Sequence, residues 1–306
     1  MKASVVVTDY LRKKYILDAL QSIKNQKGID LNDIELIVVK YYQDEKIDNY
    51  IKENFPNYKI INLDPDDPDH YVGRTFSEGI KASSNNLIFL LEDDDMFTEN
   101  KIIRIFEIVK NIKYDEYLIW NKAILIDEAG KPLKRFRHKH ISNNSSITLY
   151  IKNKDKLISY IRKIYYSVDP FILCYFNKNK KLIKLNEPLT YLRKDQESVT
   201  RGKRDRQMLE MVLQDLQYIY EETKCKSQIP TIVTYKMILN LIYNANYRIS
   251  LREYVEYLSM TPKFDKDYIK NLIKIILYIF SKNYLKKYYL RKYTFTDLNV
   301  KMNRKL

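Results

Sequence analysis

Four consecutive carboxylates, Glu92-Asp93-Asp94-Asp95, follow the apolar run Phe89-Leu90-Leu91 and precede Met96-Phe97. Like charges packed this closely raise one another's pKa values, so the run is costly at neutral pH unless something neutralises it. A divalent cation would do so. An all-oxygen donor set suits Mg2+ or Mn2+, which one or two carboxylates hold together with the phosphates of a substrate. A single Asp in that place would only favour a helix N-terminus, and four exceed that need. A further candidate is Asp169 in Tyr166-Ser167-Val168-Asp169-Pro170-Phe171, where an Asp N-cap followed by Pro makes a strong helix start.

The elements that must position these residues are legible from hydrophobic periodicity. Residues 4–8, 34–39, 58–63 and 87–91 read as strands, and residues 15–25, 45–54, 73–82 and 99–112 as helices. Continuous apolar strands separated by helices predict an α/β fold whose mostly parallel sheet is flanked by helices. Ligands of such sheets bind beyond the carboxyl ends of the strands, so residues 8–11, 40–42 and 92–95 border one crevice. Further on, residues 117–126 and 132–137 predict a β-hairpin around Asp127-Glu128-Ala129-Gly130. A helix at 154–165 and two short strands at 182–185 and 189–193 follow, and from residue 204 onward every segment reads as helix. The expected organisation is an α/β domain over 1–203, in halves 1–115 and 116–203, with a helical region over 204–306.

The segment Ser4-Val5-Val6-Val7-Thr8-Asp9-Tyr10-Leu11-Arg12-Lys13-Lys14-Tyr15-Ile16, with Ala19-Leu20-Gln21-Ser22-Ile23, resembles the opening of the family 2 glycosyltransferases. The stretch from Gly79 to Asp95 resembles that family's second block, in which a hydrophobic strand ends in a DxD motif. The resemblance implies a GT-A, Rossmann-like sheet; the C-terminal helical lobe, read from periodicity, falls outside it. It also implies a hexosyltransferase-type enzyme that moves a sugar from a nucleotide-diphospho-sugar to an acceptor, with metal dependence and inversion. Glu92 takes the first DxD position and would meet the donor ribose or water on the metal; Asp94 takes the last and would bind the metal. Asp93 and Asp95 would share these tasks, Asp93 toward the donor and Asp95 toward the metal. Thr8 and Tyr10 border the donor. Where the family has an Asp that reads the nucleobase, this chain has Lys40-Tyr41-Tyr42. Lys40 cannot accept a hydrogen bond, so it is expected on phosphate, with Tyr41 or Tyr42 stacked on the base. Inversion needs a general base for the acceptor hydroxyl, and Asp169 is the match, able to cap its helix as well. Asn186 to Arg193 resembles the closing strand; Arg193, Arg201, Lys203, Arg204 and, separately, Arg74 are candidate diphosphate contacts or merely solvated cations.

Composition narrows the partners. The chain has 306 residues and a net charge of +15, but residues 1–130 carry 17 basic and 24 acidic side chains, against 37 and 15 in residues 131–306. An acidic half that wants a cation is thus joined to a basic half that suits an anionic surface, or whose lysines are simply solvated. Tyrosines and lysines interleave from Tyr278 to Tyr293. The simplest reading is a core helix with a Lys-rich outer face; an anionic membrane surface, with a lipid-linked or glycan acceptor, is the functional one. Single-stranded nucleic acid ranks below both. Without an apolar leader or a span of roughly 20 apolar residues, the expectation is a cytoplasmic protein, peripheral to the membrane at most. A sugar nucleotidyltransferase would need a glycine-rich phosphate loop after the first strand, and Thr8-Asp9-Tyr10-Leu11-Arg12 has no glycine. A non-catalytic basic binding protein for anionic lipid or nucleic acid would account for the second half and leave the four carboxylates unexplained.

Overall fold

The apolar runs of the first half become the centre of a sheet because they have no polar face to present to water. In a computed structural model, which describes residues 1–9, 14–67, 71–133, 140–179, 181–194, 205–259 and 266–292, these runs form β1 (Ala3–Asp9), β2 (Ile34–Lys40), β3 (Tyr58–Asn62) and β4 (Leu87–Glu92). They lie parallel in the order β3-β2-β1-β4. Beyond β4 the sheet is mixed, continuing with β7 (Ile147–Ile151), β6 (Glu116–Ile126), β8 (Leu182–Arg193) and the two-residue β5 (Met96–Phe97). The helices of this unit are α1 (Ile16–Lys24), α2 (Glu45–Asn54), α3 (Val72–Ala82), α4 (Lys101–Val109), α5 (Asp155–Ile161) and α6 (Val168–Lys178). Asp44 caps α2 by accepting the N–H groups of Lys46 and Ile47 at 3.1 and 3.3 Å.

Of the hairpin's return arm, the described part pairs back through a bridge between Ile126 and Pro132 and a 2.8 Å bond from the Leu133 N–H to the Leu125 carbonyl; residues 134–139 lie outside the described ones. Two details depart from the periodicity. The two short strands are one strand, β8, whose register against β6 shifts at Asn121–Lys122, opposite a proline that has no N–H to offer. Strand β7 was not expected, because the polar run before it reads as loop.

The chain divides into two compact units, Met1–Lys194 and Asp195–Leu306. In the second, α7 (Arg206–Thr223), α8 (Ile229–Tyr243), α9 (Leu251–Ser259), α10 (Lys266–Phe280) and α11 (Lys282–Lys292) close around Val233, Met237, Tyr257 and Ile275. The helical stretch from Lys266 to Lys292 is two helices, interrupted at Ser281. Among the described residues, no helix is long and apolar enough to cross a membrane.

Helix α3 lies on β1 and β2, with α5 across it, and glycine makes both contacts possible. A Cβ on Gly79 would stand 2.3 Å from Val6 Cγ1, and one on Gly73 would stand 2.2 and 2.3 Å from the carbonyl oxygens of Ile164 and Ile161. Backbone yields less readily than a side chain. Gly73→Ala should therefore lower stability by about 1–3 kcal/mol in urea unfolding, despite alanine's better helix propensity, and an unchanged midpoint would contradict this packing.

Candidate active site

Strands β1 and β4 leave the sheet side by side, with Thr8 in register with Glu92. The Asp93 N–H donates to the Thr8 carbonyl at 3.0 Å, which carries the ladder one residue past the strand end. The chain then turns, with the Asp95 N–H on the Glu92 carbonyl at 3.1 Å, and β5 fastens its far end to β8 through Met96 opposite Tyr191 and Phe97 opposite Thr190. The acidic loop is thus held at both ends by sheet pairing.

Its carboxyl groups are held from the side by one polar segment, Ser142 to Ser146. Asn144 Nδ2 donates to Glu92 Oε1 at 3.4 Å, and the Glu92 N–H donates to Ser145 Oγ at 3.0 Å. Asn143 Nδ2 donates to Asp95 Oδ2 at 3.1 Å, while the Arg193 N–H takes Asp95 Oδ1 at 2.9 Å. Ser142 Oγ donates to Asp169 Oδ2. Four consecutive residues, Ser142 to Ser145, therefore touch Glu92, Asp95 and Asp169, which come from two distant parts of the chain. Sequence reasoning missed this segment because a Ser/Asn run looks like an exposed loop; here Asn143, Asn144, Ser145 and Ser146 are all buried.

The electrostatics follow from that crowding. Burial pushes Glu92 well above its ordinary range, with Asp95, Asp94 and Asp169 adding to the effect. Asp95 is raised to about 7 by burial and then by Asp94, against the bonds from Ser145, Arg193 and Asn143. Asp169 is raised to about 6 by burial, against its bond from Ser142. Because Asp169 acts on Glu92, the helix residue and the strand-end residue share one electrostatic site.

Several expected residues play other parts. Asp169 is the second residue of α6 and not its N-cap, a position taken by Ser167. Lys40 is fully buried, and its ammonium is used up by the Tyr42 carbonyl (2.8 Å), Asn62 Oδ1 (2.6 Å) and Asp48 (3.1 Å), so it braces the end of β2 from inside and offers nothing to a phosphate. Tyr41 is buried beside the Tyr71 carbonyl, 3.4 Å from its hydroxyl. Its half-buried neighbour Tyr42 donates instead to Asp9, and its hydroxyl is raised by burial, then by Asp9 and Asp93, which puts this ring beside the acidic loop. Arg74 pairs with Asp67. Arg193 is an internal brace: its side chain reaches the carbonyls of Asp94 (2.9 Å) and Glu128 (2.6 Å) and the carboxylate of Asp18 (2.8 Å), with Tyr15 4.1 Å away. Tyr10, Arg201, Lys203 and Arg204 lie outside the described residues.

The donor set fits a cation only in part. Among the described residues, no three His, Cys, Asp or Glu side chains gather as a ready-made metal cage. The buried Oδ1 atoms of Asn143 and Asn144 have no hydrogen-bond partner. Few protein ligands beside crowded carboxylates suit an ion completed by substrate phosphates, the usual arrangement for Mg2+.

Glu92 and Asp95 hold protons more tightly folded than unfolded, so their contribution to stability is lost as pH rises through their raised pKa values, toward pH 7 and above. Asp94→Asn removes a charge that raises both. The variant should gain on the order of 1 kcal/mol over the parent at pH 8, roughly 2–4 °C in Tm, and little at pH 5. Equal differences at both pH values would refute the coupling.

The sequence model of Glycosyl transferase family 2 matches residues 4–184, which spans both the acidic loop and Asp169. Among solved structures, the chain resembles S. aureus TarS 1-349 in complex with UDP-GlcNAc at 14% identity and a TM-score of 0.57, covering 90% of this chain and 83% of that one. The same protein in complex with UDP gives 14% identity and a TM-score of 0.54, with 90% and 82% covered. A search of curated proteins returned no match. The shared fold is the GT-A α/β arrangement with a C-terminal helical region, and the chain belongs to glycosyl transferase family 2.

Proposed function

We propose that this glycosyltransferase moves a sugar from a nucleoside-diphosphate donor to an acceptor hydroxyl with inversion, assisted by Mg2+ or Mn2+. The observation that carries this reading is the convergence of Asp169 and Glu92 from two elements far apart in sequence on one electrostatic site. A uridine donor carrying an N-acetylhexosamine is favoured by the likeness to TarS bound to UDP-GlcNAc. Thr8, Asp93 and the ring of Tyr42 line the donor side. Asp94, beside Glu92, would hold the cation, which when bound stabilises the charge that develops on the leaving diphosphate. Asp95 is occupied by Arg193 and Asn143 and sets the shape of the loop. Asp169 accepts the proton of the acceptor hydroxyl, and a carboxyl raised to about 6 is close to the pH at which a base works best. Asp169→Asn should lower turnover at least about a hundredfold while donor affinity is kept. In the parent enzyme turnover should fall as pH drops through about 6, because only the deprotonated carboxylate can accept. Normal turnover in the variant, or retention of anomeric configuration in the product, would remove the base assignment.

We further propose that the helical unit brings the enzyme to an anionic membrane surface, where a lipid-linked or glycan acceptor is met. Among the described side chains of α10, Leu272, Ile273, Ile276, Ile279 and Phe280 are exposed at helical spacing, Phe280 by 82%. Exposed Tyr284 and Tyr288 continue on α11 beside Lys282, Lys287 and Arg291. Each Lys or Arg near such a surface contributes about 1 kcal/mol. Binding to anionic vesicles should exceed binding to neutral ones, fade in salt, and weaken on reversing Lys286, Lys287 and Arg291 to Glu. Equal sedimentation with both vesicle types, or with neither, would overturn this placement.

A further inference from the structure

Lys101 opens α4 and is fully buried. It shares a helix face with Ile105 and Val109, a place where an apolar residue would pack at no electrostatic cost. An ammonium there is unfavourable twice over. It is withdrawn from water, and it sits at the end of the helix where the backbone dipole is already positive. Its surroundings nevertheless satisfy it. Nζ donates to the Ser145 carbonyl at 2.6 Å and to Thr190 Oγ1 at 3.0 Å, and lies 4.0 Å from the centre of the Phe97 ring. Thr190 Oγ1 donates to the same Ser145 carbonyl at 3.0 Å. The carbonyl of Ser145 is therefore gripped by two donors, while its hydroxyl, on the other side, accepts the Glu92 N–H and bonds to the Asp95 carboxylate. Burial pushes Lys101 well below its ordinary range, and Asp95 works against that shift.

We infer that Lys101 is a positioning residue of the transfer site, which holds Ser145 so that the Ser142–Ser146 segment keeps Glu92 and Asp95 in place around Asp94. It touches no substrate. It acts through one residue, and the three-residue 3-10 turn at Asn144–Ser146 is too short to hold that residue by its own backbone bonds. The inference rests on the reading of the acidic loop as the cation and donor site, so its test carries controls for that reading.

The test compares the full chain with Lys101→Met, which keeps length and apolar character, and with Thr190→Val, which removes the second grip while leaving the ammonium. UDP affinity is measured by calorimetry with and without Mn2+, beside Tm and the kinetics of transfer from UDP-GlcNAc. Lys101→Met should keep a cooperative unfolding transition, lose about 10–100-fold in Mn2+-dependent UDP affinity or kcat, and bind UDP without Mn2+ as the parent does. Thr190→Val should shift the same quantities in the same direction by less. A Lys101→Met protein that loses Tm but keeps parental Mn2+ dependence and kcat would overturn the inference and leave Lys101 a core residue. If that variant does not fold, Thr190→Val decides, and a parental Mn2+ response in it overturns the inference. A parent chain without Mn2+ dependence, matching Asp94→Asn, would instead sink the cation reading. Turnover per folded molecule then decides for Lys101, and parental kcat in Lys101→Met overturns the assignment.

Discussion

Glu92, Asp94, Asp95 and Asp169 repel one another in a place where burial already disfavours their charge, and the fold around them is arranged to bear that repulsion. The β1–β4 register sets where the loop begins, the β5–β8 pairing sets where it ends, and the Ser142–Ser146 segment fixes the carboxyl groups between. Removing any one support would let the carboxylates separate into water, which is what their charges favour. Structure that opposes a local electrostatic preference is a mark of a site built for a ligand.

The acidic character of the first half conceals how its cations are used. Lys40, Lys101 and Arg193 are buried, and each lies behind a part of the crevice and not inside it. Lys40 ties the end of β2 to Asp48 and Asn62, close to the Tyr42–Asp9 pair. Arg193 ties the acidic loop to Glu128 and Asp18, and Lys101 ties Ser145 to β8. These groups brace the crevice from behind and leave its front acidic; Lys101, pushed well below its ordinary range by burial, does so through its hydrogen bonds to Ser145 and Thr190.

The parallel half of the sheet was legible in the sequence because burial on both faces leaves uninterrupted apolar runs. The acidic loop was legible because four carboxylates at the end of such a run repel one another too strongly to be incidental. Asp169 was singled out by the family resemblance together with its helix start, and it lies inside the helix and not at its cap. The supporting residues were obscure for physical reasons. Asn143 to Ser146 have the composition of a surface turn, and their burial is decided by partners far away in sequence. Lys40 stands where a strand meets a loop, and its inward turn depends on Asn62 and Asp48. Lys101 did leave a signal, since it falls on the face of α4 that carries Ile105 and Val109. A charged residue in an apolar stripe is worth reading as a buried one with a partner.

Coupling between the two parts of the site also bears on the order of events. An interaction that raises Glu92 because Asp169 is charged acts on Asp169 equally when Glu92 is charged, since the energy belongs to the pair. Glu92 is held well above its ordinary range and Asp169 only to about 6, so Asp169 gives up its proton first, beside a Glu92 that still keeps its own. On the proposed reading the base for the acceptor hydroxyl is thereby ionised near neutral pH, while the strand-end carboxyl keeps its proton until the donor side is filled. The close packing that makes the cluster costly thus divides two carboxyls between two tasks, without any movement of the chain.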